Sequence, residues 1–476
     1  MSSANATAES GESTRARASS SDAPDRATEV DAVVLGLGPG GEAVAGRLAE
    51  AGLRVIGIEA GLVGGECPYW ACVPTKMMVR AAGLLEEGRR IPGMAGASTI
   101  ESDWTPVARR IRDDATDDWD DEAAADRFVG QGGTLVRGRG RLVSNDTVVV
   151  DGHRYRASRA VVLATGSTPA IPPIDGLDDL PYWTNRDAVE AEHLPASLIV
   201  LGGGAVGAEF SQTFARFGVD VTIVETADQL VPSEEPEAGE TIADVFRAEG
   251  ITVVTGDSAT KIACDDRFHV QLERGEELTS ERLLVATGRR VDLAAIGADT
   301  AGFDTDARAL DVDEHLRAAD GIWAVGDITG HGMYTHVAVY QAGIAAADIL
   351  GEPHEPADYA AVPRVTFTDP EIGAVGLTEQ QARDAGIDVA VGHTAIPSTA
   401  RGWIHARGNE GFVQLVVDRD RGVLVGGTAV GPSGGEVIGM IALAVHSGMP
   451  VDTLRTMIYA YPTFHRGIDD AIRSIE

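Results

Sequence analysis

Residues 32–59, AVVLGLGPGGEAVAGRLAEAGLRVIGIE, read as an apolar strand, a Gly-rich turn, an amphipathic helix and a second strand closing on Glu59. Residues 198–225, LIVLGGGAVGAEFSQTFARFGVDVTIVE, repeat that plan. Gly36 to Gly202, Gly52 to Gly218 and Glu59 to Glu225 each span the same 166 residues. A GxGxxG turn alone is weak evidence. One that follows a strand, opens a helix and is followed by an acid ending the next strand is a dinucleotide-binding βαβ unit, and two units imply two dinucleotide sites. In each copy the first glycine permits the tight turn, the second lets pyrophosphate approach the backbone, and the third lets helix and strand pack. These are Gly36, Gly38 and Gly41, then Gly202, Gly204 and Gly207. The diphosphate would sit at the helix N-terminus, where free N–H groups and the dipole favour an anion. Glu225 is suited to both ribose hydroxyls and repels a 2′-phosphate. No Arg follows it in TADQLVPSEEPE, so NAD(H) is favoured over NADP(H).

Outward from these units lie companions. AVVLATGSTP (160–169) and LLVATGRR (283–290) are apolar strands ending in Ala-Thr-Gly, and GIWAVGDITG (321–330) is another ending in Gly-Asp. A helical stretch is expected from about 75 to 128, short strands around 133–151, and a helix at 335–350. From about Pro363 strands and helices alternate without a nucleotide motif, which suggests an α/β domain with an antiparallel sheet. Its continuous apolar stretches suggest burial against a partner subunit.

The chain has 476 residues and a formal charge of −34, which argues against nucleic acid and anionic membrane partners and fits solubility, as in a salty cytoplasm. No apolar run reaches the 18 or so residues of a membrane span. Residues 1–28 read as a disordered tail without a signal sequence, and a cytoplasmic location is expected. The only lysines are Lys76 and Lys261, among 39 basic residues.

Three cysteines, Cys67, Cys72 and Cys264, are too few for a structural disulfide framework. GGECPYWACVPTK (64–76) sets Cys67 and Cys72 close together at the start of an expected helix, whose N-terminus lowers a thiol pKa. A metal site or two unrelated buried thiols are the alternatives. Metal sites recruit further Cys or His at short spacing and none lies near, so no metal is assigned and redox work is the preferred reading. Cys264 reads as a structural thiol on a strand.

The joint pattern GxGxxG, GGxCxxxxCxPxK, ATG, GGGxxGxEF, ATGR and AxGD resembles the class I pyridine nucleotide–disulfide oxidoreductases, the family of dihydrolipoyl dehydrogenase, glutathione reductase and mercuric reductase. The resemblance runs from Asp31 to about Ile475. It implies an α/β fold of two Rossmann-like domains, for FAD and NAD, plus a C-terminal α+β dimerisation domain. The implied division is FAD-binding 29–195, NAD(P)-binding 196–289, a central FAD-associated part 290–360 and dimerisation 361–476. By resemblance, Glu59 meets the adenosine ribose of FAD and Gly140 lines the adenine side. Thr165 and Gly166 close over FAD, Asp327 meets its ribityl–pyrophosphate region, and Gly288 edges the NAD site. Cys72 lies against the flavin, Cys67 is the interchange thiol, and the two form the redox-active disulfide. Lys76 pairs with Glu209 beside flavin N5, where a compact ammonium favours negative charge on the ring. His336 is expected near the flavin.

One departure matters. The family's disulfide reductases end in HPTxxE, a His–Glu acid–base dyad reaching the partner subunit's thiol. Here YAYPTFHRG (459–467) puts Tyr461 at the His position and Arg466 at the Glu position, with His465 one residue out of register. A phenol with an ordinary pKa of about 10 is a poor base at neutral pH, although a fair proton donor. Efficient turnover of lipoamide or glutathione disulfide is therefore not expected. Pro68, Tyr69 and Trp70 replace small polar residues between the cysteines; narrowed access to Cys67 and simple packing are the two readings, and packing is preferred. The leading reading is a homodimeric enzyme passing electrons from NADH through FAD and Cys72–Cys67 to a disulfide or thiol-reactive electrophile. Mercuric-type metal-ion reduction is a second reading, against which AIRSIE carries no terminal Cys pair and no N-terminal metal-binding domain is seen. A diaphorase reducing quinones with an idle disulfide is a third, and a non-enzymatic redox sensor a fourth.

Overall fold

The computed structural model describes residues 27–475, so nearly all of the expected tail lies outside the described residues. The first repeat forms the strand Thr28–Leu35, the helix Pro39–Glu50 and the strand Val55–Glu59. These join an eight-stranded sheet in the order Arg317–Ala319, Ile322–Ala324, His153–Leu163, Thr28–Leu35, Val55–Glu59, Thr134–Arg137, with a hairpin (Arg141–Ser144, Thr147–Val150) pairing onto His153–Leu163. Helices cover one face, and the hairpin with the segment 293–310 covers the other, so the central strands are apolar on both sides, as buried parallel strands must be. Residues after 290 thus return to the first sheet, through the parallel pairing of Ile322–Ala324 with His153–Leu163.

The second repeat forms Ser197–Leu201, the helix Ala205–Arg216 and Asp220–Glu225, in a parallel sheet ordered Thr252–Thr255, Asp220–Glu225, Ser197–Leu201, Arg282–Val285. All five residues of SLIVL are buried. A three-stranded antiparallel meander (Ala259–Cys264, Phe268–Leu272, Glu277–Ser280) packs on one face. It places Cys264 on a strand, as expected. The two strands' Ala-Thr-Gly ends meet: Thr168–Pro169 pairs antiparallel with Arg289–Arg290.

The C-terminal part is a five-stranded antiparallel sheet, Pro363–Thr366, Glu371–Gly376, Val423–Gly431, Phe412–Asp418, Val389–Ala395 in spatial order. Two expectations change. The helical stretch of 75–128 is several pieces, Cys72–Arg90, Thr105–Arg110 with a π-helical turn Ile111–Ala115, and Glu122–Gly130, because the Pro- and Gly-containing segment 91–104 cannot continue a helix. The continuous apolar run Phe412–Asp418 is wholly buried within this chain, between the helices Gly434–His446 and Arg466–Arg473 on one face and Ala382 and Val389 on the other. The apolar side chains left exposed are elsewhere, notably Ile458 at 95% and Trp403 at 77%. Among the described residues no helix is long and apolar enough to cross a membrane.

Candidate active site

The repeat is preserved down to single hydrogen bonds. Glu59 accepts from the N–H of Leu37 at 2.7 Å and of Gly61 at 2.7 Å. Glu225 accepts from Gly203 at 2.6 Å and Ala227 at 2.8 Å, the same two positions one repeat later. Each acid thereby shapes its own glycine turn. Gly36 (φ +94°) and Gly202 (φ +104°) lie where L side chains are strained, and a Cβ on either would strike a carbonyl oxygen, Ala164 or Ala286, at 2.4 Å. A Cβ at Gly41 or Gly207 would lie 2.0 or 1.9 Å from the oxygen of Gly36 or Gly202, so these glycines let helix and turn touch.

Gly38 and Gly204 behave differently. Both are extended (φ −69° and −70°), which any residue adopts. An added Cβ would come no nearer than 4.0 Å to anything at Gly38 and meets nothing within 4 Å at Gly204. Neither conformation nor packing within the protein explains a glycine at these points. Close approach by a bound diphosphate does, and both helices start there with no side-chain cap on their N–H groups. The residues present therefore fit two dinucleotides.

The cysteine segment is fastened to the first turn. Gly64 donates to the Leu37 carbonyl at 2.7 Å, and a Cβ at Gly65 would lie 2.8 Å from the Gly38 Cα. Cys67 lies in the short helix Glu66–Tyr69, and Cys72 opens Cys72–Arg90. Their sulfurs lie near 2.7 Å apart, and both residues are partly buried. Cys72 Sγ is also 3.4 Å from Thr335 Oγ1, on the first residue of the helix Thr335–Leu350. As a dithiol the pair is polarised. The hydrogen bond from Cys67, joined by Thr335 and the Lys76 charge and opposed by burial, lowers the Cys72 thiol to about 6. The same hydrogen bond, and then burial, push Cys67 up. Cys72 is thus the thiolate of the pair at neutral pH.

Lys76, one helical turn on, donates to Glu209 at 2.8 Å, and its ammonium lies 4.6 Å from the Phe367 ring centre. Glu209 projects from Ala205–Arg216 and accepts the Phe367 N–H at 2.9 Å with its other oxygen. That loop is anchored nearby by Asp369, which accepts from Arg90 at 2.8 Å and from buried Arg216 at 2.9 Å. The three parts of the chain therefore meet at the Lys76 carboxylate partner.

Asp327 accepts from Ser167 Oγ at 2.5 Å, and Arg289 donates to the same hydroxyl at 2.7 Å and to the Ser167 carbonyl at 2.8 Å. This cluster joins the segments just after Thr165–Gly166 and Gly288 to the Gly-Asp turn. Gly166 and Gly288 both have positive φ with open space beyond. Ser167, Arg289 and Thr335 were not singled out from sequence, although the first two flank the Ala-Thr-Gly motifs. Gly140 is accounted for by packing: a Cβ there would meet Leu35 at 2.3 Å. His336 bonds the Pro363 carbonyl at 2.9 Å and stacks on Tyr334. Tyr69 is buried with its hydroxyl on the Val63 carbonyl, whereas Trp70 donates to Glu190 at 2.6 Å beneath the Arg186 guanidinium. Tyr461 is 71% exposed, and its ring centre stands 5.9 Å from the Arg466 guanidinium.

Residues 30–342 match the family described as pyridine nucleotide-disulphide oxidoreductase, and 362–472 match its dimerisation domain. The chain belongs to that family. It is 32% identical over 461 residues to the dihydrolipoyl dehydrogenase of Chlorobaculum tepidum, covering 94% of this chain and 97% of the relative. It is 33% identical over 450 residues to the mercuric reductase of Acidithiobacillus ferrooxidans, covering 92% and 81%. Among solved structures, the Cu(II) complex of the HOCl-induced flavoprotein disulfide reductase RclA from Escherichia coli superposes with a TM-score of 0.82 at 26% identity, over 94% of this chain and 99% of that one. As a family member the chain is an FAD-dependent oxidoreductase with the α/β and dimerisation domains read from its sequence.

Proposed function

We propose that this flavoprotein is a homodimeric NADH-dependent reductase whose Cys67–Cys72 pair delivers two electrons to a disulfide or thiol-reactive electrophile. The observation that carries the reading is the polarised pair itself, with Cys72 at a helix N-terminus one turn from the Lys76–Glu209 ion pair. In this reading the sheet around Thr28–Leu35 holds FAD, with Gly36, Gly38, Gly41, Glu59, Thr165, Gly166 and Asp327 around it. The sheet around Ser197–Leu201 holds NAD(H), with Gly202, Gly204, Gly207, Glu225 and Gly288.

Bound FAD would supply a two-electron carrier between nicotinamide and the disulfide. The chain's own residues do the rest. Lys76 would offer that cofactor a positive charge, and Glu209 fixes the charge in position. Breaking the Cys67–Cys72 bond with two electrons and one proton from solvent leaves Cys72 as thiolate, stabilised by Thr335 and Lys76, and Cys67 as the protonated thiol. Cys67, after losing its proton, attacks the substrate. For a substrate disulfide it forms a mixed disulfide and releases one thiol; Cys72 then displaces the second thiol and restores the bond. Tyr461 of the partner can give a proton to the leaving thiolate but is a poor acceptor of one. This favours acceptors that need little help from a base.

Glu225 supports NADH over NADPH, since its carboxylate, held by the Gly203 and Ala227 N–H groups at the turn, suits ribose hydroxyls and repels a 2′-phosphate. A metal-ion substrate remains the second reading, favoured by the similarity to mercuric reductases. The test is NADH oxidation by the holoenzyme before and after alkylating the reduced thiols, with disulfide, Hg(II) and quinone acceptors in parallel. Disulfide-dependent turnover abolished by alkylation supports the proposal. Turnover with quinone alone, spared by alkylation, sinks it.

A further inference from the structure

His315, Asp348 and His354 lie far from the cysteines and take no part in the chemistry above, yet one ligand atom from each falls within 4.8 Å of the other two. They come from three segments: the loop before Arg317–Ala319, the last turn of Thr335–Leu350, and the loop after that helix. The helix has 16 residues and begins at Thr335, beside Cys72. The cluster is therefore about 20 Å from the thiols.

Two of the three groups are oriented from behind. Asp348 receives Arg317 Nε at 2.7 Å and Nη2 at 2.6 Å, and Trp323 Nε1 at 2.8 Å, so its carboxylate is fixed. His354 Nδ1 lies 3.0 Å from the Glu355 carbonyl, which can only accept. Nδ1 therefore carries a proton, which leaves Nε2, 3.5 Å from Asp348 Oδ1, as the nitrogen a metal ion would take in place of a proton. His315 Nδ1 is buried with no hydrogen-bond partner among the described residues, and the two imidazoles meet edge to face at 5.1 Å. A backbone carbonyl that sets the tautomer, and a guanidinium and an indole N–H that orient the carboxylate, are the outer contacts that metal ligands have.

We propose that His315, Asp348 and His354 form a three-ligand site for a late first-row divalent cation of the Zn(II) type, with water completing the coordination. Two imidazoles and one carboxylate suit Zn(II), Ni(II) or Cu(II), not Mg(II) or Ca(II), which prefer all-oxygen sets. Bonds of about 2.1 Å require the ligand atoms to close to about 3.4 Å apart, a movement two loop histidines can make. Arg317 already neutralises Asp348 and opposes a second positive charge, which lowers the affinity. The carboxylate still has lone pairs beyond those Arg317 uses. The bound ion ties both loops to the end of the helix.

The test uses the full-length holoenzyme with all cysteines alkylated after reduction, so that thiolates cannot compete. It is dialysed against Zn(II) alone, and bound zinc and Tm are measured. One equivalent per chain with a raised Tm is expected, with affinity falling at least about tenfold in both His315→Gln and His354→Gln and unchanged in His446→Gln, outside the cluster. Unaltered flavin absorbance and metal-free Tm establish that the variants are folded. Wild-type enzyme that binds no zinc, as a histidine–carboxylate ion pair would, overturns the proposal. So does an equivalent retained by both histidine variants.

Discussion

Lys76 and Glu209, 133 residues apart in sequence, meet at 2.8 Å where the helix Cys72–Arg90 crosses the helix Ala205–Arg216. Lys76 is one of two lysines in a chain that otherwise uses arginine, and its partner is nearly buried, with 9% of the side chain exposed. The carboxylate also holds the Phe367 N–H, so the ammonium is positioned by a group that the C-terminal part helps to fix.

Removing that charge should slow electron entry without unloading the cofactor. Glu209→Gln keeps an oxygen for the Phe367 N–H but no longer anchors Lys76 as a charge. Lys76→Met removes the ammonium. Both are expected to retain FAD and to lower the rate of flavin reduction by NADH in stopped-flow at least about tenfold. Wild-type rates in Lys76→Met would show that the ammonium has no part in the step.

The polarised thiols predict a pH profile. Cys72 titrates near 6 in the reduced pair, so its thiolate is present above that pH and lost as pH falls through it. Anaerobic addition of NADH at neutral pH should give a long-wavelength thiolate-to-flavin absorbance band, fading on acidification with a midpoint near 6. Cys67→Ser weakens the largest stabilising contact, and Thr335→Val removes the next. Each should move the midpoint upward. If the flavin bleaches with no such band at any pH, Cys72 does not face it.

Glycines of one motif should fail in different ways. Gly38→Ala and Gly204→Ala place a methyl where no protein atom stands, so both variants should fold. Gly38→Ala should lose FAD on dialysis. Gly204→Ala should keep FAD and raise KM for NADH about tenfold or more. Gly41→Ala meets the Gly36 oxygen at 2.0 Å and should instead lower Tm, as overpacking against backbone costs at least about 1–3 kcal/mol. Identical behaviour in all three would remove the argument that the second glycines face ligand.

Much of this site was legible because its parts are local. The two βαβ units, with Glu59 and Glu225 closing them, are contiguous segments whose turns, strands and helices are dictated by nearest neighbours. The cysteine pair and the Tyr461 departure were legible for the same reason. What sequence did not reveal is non-local. Thr335 reaches Cys72 across 263 positions, and Arg289 joins Ser167 across 122. Neither residue type is unusual where it stands. The apolar run at 412–418 misled because interior strands of a covered sheet and interface strands have one composition, and only the flanking helices tell them apart.

The Tyr461–Arg466 substitution yields the sharpest prediction about substrate. Arg466 is 3.3 Å from Asp469, which Arg473 also contacts at 3.0 Å, so replacing Arg466 leaves the buried aspartate with a cation. Tyr461 is exposed, so a histidine there meets no packing obstacle within the chain. The double variant Tyr461→His, Arg466→Glu should therefore fold and supply an imidazole with a carboxylate to orient it. General base catalysis contributes about 10²–10⁴-fold in favourable geometry. A rise of at least about tenfold in kcat/KM for lipoamide disulfide is expected, largest near neutral pH, with Tyr461→His alone giving less. Rates with a base-independent acceptor should stay within about twofold. If the double variant reduces lipoamide disulfide no faster than the natural protein, the missing dyad is not what limits this enzyme toward such substrates, and access past Trp70 becomes the constraint to examine.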